Sequence, residues 1–160
     1  MSGIEIERKF LVVGESYRQT AFSSSNLRQG YICADKGKTV RVRLRDAKGF
    51  LTIKGPSLDG GLSRYEFEKE ITPDEASRLL ALCQGYIIDK TRYLVRQGSH
   101  VFEVDEFHGD NEGLVIAEVE LSSADEPFDK PPFIGAEVTG DRRYYNSFLS
   151  RHPYSTWKDK

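Results

Sequence analysis

Residues 40–45 read Val-Arg-Val-Arg-Leu-Arg, and this alternation constrains the chain more than any other stretch. Successive side chains of a strand point to opposite faces. Arg41, Arg43 and Arg45 therefore share one face, and Val40, Val42 and Leu44 the other. The two-sided pattern recurs along the chain. Residues 4–13 place Glu5, Glu7 and Lys9 on one face, with Ile4, Ile6, Arg8 and Phe10 opposite. Residues 27–34 alternate, as do 50–54 with Thr52 and Lys54, and 65–71 with Glu66, Glu68 and Glu70. Residues 88–95 carry Lys90 and Arg92, residues 101–107 Glu103 and Asp105, and residues 114–121 Glu118 and Glu120. About eight strands result, mostly joined by short turns such as 35–38 and 46–49.

Helices interrupt the strands. Thr72 suits an N-cap, Pro73 the first turn, and Glu75 sits three residues beyond the cap. Ala76, Leu79, Leu80 and Cys83 then form an apolar stripe that stops at Gly85. Residues 14–22 read as a short irregular helix and 23–26 as a loop. Residues 122–134 hold three prolines and read as a short helix and loop. Tyr144, Tyr145, Phe148 and Leu149 stand at helical spacing within 140–150. Residues 1–150 read as a single domain, and 151–160, with Trp157, as a loose tail.

Composition removes several function classes. At 160 residues the chain is long enough for one core. Charged residues make up 30%, but the net charge is only −2, without the basic excess of a duplex nucleic-acid binder. No apolar run reaches membrane-spanning length, and Met1-Ser2-Gly3 leads into a charged strand rather than a signal peptide. The expected location is cytoplasmic. Cys33 and Cys83 lack metal-site spacing and read as reduced, partly buried thiols. His100, His108 and His152 do not cluster and read as surface residues.

Taken singly, each charged face suits the solvated side of an antiparallel sheet. As a set the faces are nearly pure in sign, arginine in one strand and glutamate in the next. If helices cover the apolar outside of a curled sheet, the charges must point inward. A dry, unpaired charged interior would be ruinous, so water, metal ions and a highly charged ligand must occupy it. Arginine forks match phosphate geometry and lysines add point charge. The carboxylates would repel a bare polyphosphate and attract one that carries Mg²⁺ or Mn²⁺.

Glu5-x-Glu7-x-Lys9 resembles the signature of the CYTH domain, the triphosphate tunnel metalloenzymes. The resemblance continues in order through Arg41, Arg43, Lys54, Glu66, Glu68, Lys90, Arg92, Asp105, Glu118 and Glu120. It also takes in Glu137-Val138-Thr139, Asp141, Tyr144 and Asn146, which are similar to compact prokaryotic members. It implies an α+β, mainly β fold: an eight-stranded antiparallel barrel, or tunnel, with helices packed on the outside. It implies metal binding by Glu5, Glu7, Glu118 and Glu120, with Asp105 assisting. Triphosphate would be held by Lys9, Arg41, Arg43, Lys54, Lys90 and Arg92. Glu66, Glu68 and Lys9 are the candidates for general base. Arg45 and Glu70 lie further along the same faces, Arg143 could reach a tunnel mouth, and Tyr31 could line the interior.

The implied activity is metal-dependent hydrolysis of inorganic tripolyphosphate, with nucleoside or thiamine triphosphates as further substrates. An adenylate cyclase on the same scaffold would make cyclic AMP from ATP. A non-catalytic polyphosphate-binding module would bind without turnover, yet would have little need of so many carboxylates. The expected partner is a small-molecule triphosphate, with neither nucleic acid nor membrane. A homodimer is compatible with the family.

Overall fold

A computed structural model describes residues 3–158. The expectations for Met1, Ser2, Asp159 and Lys160 fall outside these residues. Nine strands follow in chain order: β1 (Ile4–Val12), β2 (Ser23–Asp35), β3 (Lys38–Arg45), β4 (Lys48–Lys54), β5 (Ser63–Ile71), β6 (Gln84–Gln97), β7 (His100–Phe107), β8 (Val115–Glu120) and β9 (Ile134–Glu137). The helices are α1 (Tyr17–Thr20), α2 (Pro73–Leu80) and α3 (Asn146–Leu149).

The strands are antiparallel in the order β5-β4-β3-β2-β6-β7-β8-β1-β9. The first half of β1 also pairs with β5, from Ile4 opposite Tyr65 to Ile6 opposite Ser63. That pairing closes β1–β8 into an eight-stranded barrel. The ninth strand lies along the second half of β1, with Phe10 opposite Glu137.

The barrel turns its charges inward because most of its apolar side is covered from outside, although Ile53, Tyr65 and Phe67 on β4 and β5 stay exposed. Phe10, Phe102, Val104, Ala117 and Val119, from β1, β7 and β8, are buried against Tyr17 of α1, Leu121 and Phe133. Val42 of β3 is buried against Ala76 and Leu80 of α2. Ile88, Phe107 and Ile116 pack with Leu114, Tyr144 and Leu149. Each large apolar side chain so buried stabilises the fold by about 1.5–3 kcal/mol. The outward register cannot slip by one residue without exposing this whole set.

Local chemistry sets the helix position. Thr72 Oγ1 accepts from the Glu75 amide at 3.0 Å, and Glu75 Oε1 accepts from the Thr72 amide at 2.9 Å. This reciprocal cap starts α2 where the sequence places it. Gly49 lets the helix lie close on β4: a Cβ there would stand 2.8 Å from Ala76 Cβ and 2.9 Å from the Thr72 carbonyl.

Several boundaries differ from expectation. Residues 23–26 are strand rather than loop, because Ser23 to Asn26 pair with Leu94 to Thr91 of β6. The strand β9 was not expected; Gly135 and Ala136 lack the bulky apolar pattern that marks a strand. Residues 140–150 do not form one helix. Asp141 accepts from the Arg143 amide and starts a 3₁₀ turn at Arg142–Tyr144; extended Tyr145 then separates it from α3. The segment expected as a loose tail packs as far as Trp157. The Tyr154 amide donates to Asn111 Oδ1 at 2.8 Å, and the Trp157 ring lies 5.4 Å from that of Tyr144. Cys33 is exposed and Cys83 half-buried, both free. Among the described residues no helix is long and apolar enough to cross a membrane.

Candidate active site: a tunnel with two unlike walls

The barrel encloses a tunnel of about 240 Å³. Glu5, Glu7, Lys9, Arg41, Arg43, Lys54, Glu66, Glu68, Lys90, Arg92, Glu118 and Glu120 all line it. Arg45, Glu103 and Tyr31 do too. Glu70 and Arg143 do not; Arg143 turns to Asp141 at 2.8 Å and packs over Tyr144 and Trp157.

Strand order sorts these side chains by sign. The neighbouring strands β5, β1, β8 and β7 carry Glu66, Glu68, Glu5, Glu7, Glu118, Glu120 and Glu103. The neighbouring strands β4, β3, β2 and β6 carry Lys54, Arg41, Arg43, Gln29, Tyr31, Lys90 and Arg92. One wall is acidic and the facing wall basic. Lys9 of β1 and Arg64 of β5 are cations set into the acidic wall, Lys9 among the carboxylates and Arg64 at the end of its strand. The Lys9 side chain makes three contacts there. Its ammonium stands 3.8 Å from Glu118, donates to the Tyr144 carbonyl at 3.2 Å and lies 4.9 Å above the Tyr145 ring.

Crowding on the acidic wall perturbs its carboxyls. Burial pushes Glu7 well above the usual carboxylate range, and Glu118 and Glu5 add repulsion. A hydrogen bond between the two carboxyls raises Glu7 further and lowers Glu118. Burial also acts on Glu118, but Lys9 and that hydrogen bond outweigh it, bringing Glu118 to about 2. Glu66 and Glu120 are raised, in both cases by burial first and by Glu5 next. Glu5 is held by Lys54, whose ammonium donates to its two oxygens at 3.0 and 3.2 Å and lies 3.7 Å from Glu66.

The basic wall is crowded in the opposite sense. Burial pulls Arg43 down to about 9, with Arg41 and Arg92 adding repulsion. A guanidinium stays charged at neutral pH, so like charges crowd this wall. Arg41 donates to Thr52 Oγ1 at 3.1 Å and lies 3.5 Å from Glu68. Its Nε is buried with no acceptor, the one such side-chain atom among the described residues. An orphaned donor inside a polar tunnel suits an external ligand.

Asp105 departs from expectation. It does not line the tunnel, and its oxygens are taken up by cations. Lys90 Nζ donates to it at 2.7 Å, and Arg92 grips it with Nε at 2.7 Å and Nη2 at 2.8 Å. Asp105 is 2% exposed and Lys90 1%, so this is a buried ion-pair anchor in which each carboxylate oxygen already accepts from a cation.

Asn146 stood among the family-like positions, but sequence reasoning gave neither it nor Gln29 a role in orienting the basic wall. Asn146 Oδ1, from α3, accepts from Lys90 Nζ at 2.8 Å and from Gln29 Nε2 at 3.3 Å. Gln29 Oε1 in turn accepts from Arg43 Nε at 2.9 Å. The resemblance at Asn146 was a sequence signal for this network, and Gln29 on a strand beside the arginine strand a faint one. The histidines stay outside the site: His108 faces Thr91 at 2.8 Å and His100 faces Glu126 at 2.5 Å.

Comparison with known proteins agrees with this geometry. A model of the CYTH domain matches residues 3–145. A protein named inorganic triphosphatase from Acetivibrio thermocellus is 50% identical over 98% of this chain and 99% of its own. One of the same name from Nitrosomonas europaea is 37% identical over 91% and 96%. The crystal structure of the inorganic triphosphatase NE1496 aligns with a TM-score of 0.63 at 34% identity, covering 91% of this chain and 97% of that one. With its opening glutamates and lysine on one wall of a closed eight-stranded tunnel, the chain belongs to the CYTH domain family.

Proposed function

We propose that this protein is a metal-dependent triphosphatase that hydrolyses inorganic tripolyphosphate inside the barrel. The observation that carries the reading is the division of the tunnel into a basic and an acidic wall. A polyanion alone would suit only the basic half, and a cation alone only the acidic half. A triphosphate with a divalent cation suits both. The similarity to two inorganic triphosphatases supports the same reading.

The acidic wall offers oxygen donors only, the type that Mg²⁺ and Mn²⁺ prefer. Among the described residues no three His, Cys, Asp or Glu side chains already stand close enough to hold an ion. Ions of this kind commonly take one or two carboxylates and complete their shell with water and substrate phosphates. Burial and mutual repulsion raise Glu7 beside Glu118 and Glu5, and a cation bound there would relieve that repulsion. Glu5, Glu7, Glu118 and Glu120 would hold the metal, which when bound neutralises phosphate charge and polarises the reacting phosphoryl group.

The chain's own groups account for the rest. Arg41, Arg43, Lys54, Lys90 and Arg92 grip the phosphate chain and stabilise charge on the transferring group and on the diphosphate that leaves. Lys9 holds an end of the chain against the acidic wall. Of the three candidate bases, Glu66 is best placed. It is half-buried, its raised carboxyl lies nearer neutrality, and Lys54 orients it. Glu68 is engaged by Thr52 at 2.8 Å. The ammonium of Lys9 is held by Glu118 and an aromatic ring, which suits binding.

Phosphate release from tripolyphosphate, ATP and thiamine triphosphate, with Mg²⁺, with Mn²⁺ and with chelator, tests the reading. Fast metal-dependent release from tripolyphosphate is expected. Tight binding without turnover would leave a binding module instead, and cyclic AMP from ATP a cyclase. Asn146→Ala removes the acceptor of Lys90 and Gln29. It is expected to raise KM for tripolyphosphate by about 3- to 10-fold with kcat changed less, the cost of one charge-assisted hydrogen bond. Steady-state kinetics check this, and an unchanged KM would remove Asn146 from the positioning network.

A further inference from the structure

Where β3 begins and β4 ends, the tunnel opens into a second cavity of about 590 Å³. Thr39, Ser57, Gly61, Arg64, Gly140 and Tyr145 line both spaces, so they are continuous. The loops that frame the opening touch: a Cβ on Gly140 would stand 2.2 Å from the Gly60 carbonyl. Gly140 has a φ of +83°, a conformation that suits glycine.

The charge of this cleft is unlike that of the tunnel. Lys36, Lys38, Arg64, Arg142, Arg151 and His152 line it, and no carboxylate does. In the tunnel, Lys9, Arg41, Lys54, Lys90 and Arg92 each have a carboxylate within ion-pair distance. Among the described residues, none of the lysines and arginines that line only the cleft has one, nor does Arg64. Arg64 donates instead to the carbonyls of Gly55 at 3.2 Å and Gly37 at 3.1 Å. Arg151 donates to Gln84 at 3.2 Å. Like charges gathered on one concave wall raise the local potential and attract anions. Without carboxylates the wall has no use for a divalent cation, so its ligand is an anion held directly.

We infer that this cleft is a second anion subsite, which takes the part of a linear polyphosphate that extends beyond the three phosphates in the tunnel. The inference rests on the tunnel holding a triphosphate, as proposed above. The wall suits a phosphate better than a base. Its aromatic rings are already engaged on one face, Tyr145 by Lys9 at 4.9 Å and Phe148 by His152 at 4.7 Å. Its cations are spread around the opening, where successive phosphates of an emerging chain would meet them.

Steady-state hydrolysis of tripolyphosphate and tetrapolyphosphate by wild type and by the double variant Lys38→Ser/Arg142→Ser tests this. Both side chains are exposed and neither makes a hydrogen bond or ion pair that the fold uses. The KM for tetrapolyphosphate is expected to rise about tenfold, and that for tripolyphosphate by less than about twofold. An equal rise for both substrates, or none, would overturn the subsite. If wild type hydrolyses neither substrate, the proposed activity fails, and the subsite is then decided by equilibrium binding of the two anions in chelator. Tighter binding of tetrapolyphosphate that the double variant abolishes would support the subsite; equal affinities would overturn it.

Discussion

Glu7→Gln is expected to lose at least about 100-fold in turnover while its melting temperature holds or rises. The two effects have one cause. Glu7 is half-buried beside Glu118 and Glu5, which repel its charged form and raise its carboxyl. Glutamine can donate to Glu118 and carries no charge for its neighbours to repel, so the metal-free fold is expected to lose nothing. Removal of even an outer partner of a metal site costs about 10–100-fold, so a direct carboxylate should cost the upper end or more. Phosphate release and a thermal melt in chelator check the pair. Near-normal turnover would remove the acidic wall from the reaction, and a fall of many degrees would make Glu7 a structural residue.

Asp105→Asn should do the reverse, with stability lost first. Lys90 is fully buried and Arg92 largely so, both against this one carboxylate. Breaking a buried pair by removing one partner costs about 3–5 kcal/mol, because a charge is left uncompensated. At this chain length that is a fall in melting temperature of roughly 10 °C. Lys90 is already pulled down to about 7 by burial, with Arg92 and Arg43 repelling it, so the variant leaves it less able to stay charged. The same carboxylate predicts acid sensitivity. Burial raises Asp105, but Arg92 and Lys90 outweigh it and hold it far below the ordinary carboxylate range. A group with a depressed folded-state value contributes stability that is present above its unfolded value, about pH 4, and is lost as pH falls below it. Wild-type melting should therefore decline below about pH 4, and the variant should lack this part of the decline. A variant as stable as wild type at pH 7 would show that the triad carries little net stability.

Much of the site is legible from residue spacing, because the two-residue period of a strand decides which side chains share a face. Glu5, Glu7 and Lys9, and likewise Arg41 and Arg43, stand together for that reason alone. The cap of α2 is equally local: Thr72, Pro73 and Glu75 act within one turn. Other features depend on partners far along the chain. Ser23 to Asn26 have weak strand character and are strand only because β6 pairs with them. Asp105 looks like one more carboxylate until β6 sets Lys90 and Arg92 against it. Asn146 enters the tunnel because 140–150 breaks into two short turns where a single helix was expected.

By itself, the sequence determined that the chain would build a sheet with apolar faces outside and charge within, since that follows from alternation and from the need to seal apolar surface. Only the tertiary structure decided how those charges are arranged. Backbone hydrogen bonds between strands are much alike, so an alternating strand states what its faces carry but not which strand will lie beside it. Closure of β5 on β1 brings Glu66 near Glu5, and the pairing of β2 with β6 brings Lys90 and Arg92 to the arginine strand. Those two choices of neighbour turn a scattered set of charged residues into one acidic and one basic wall.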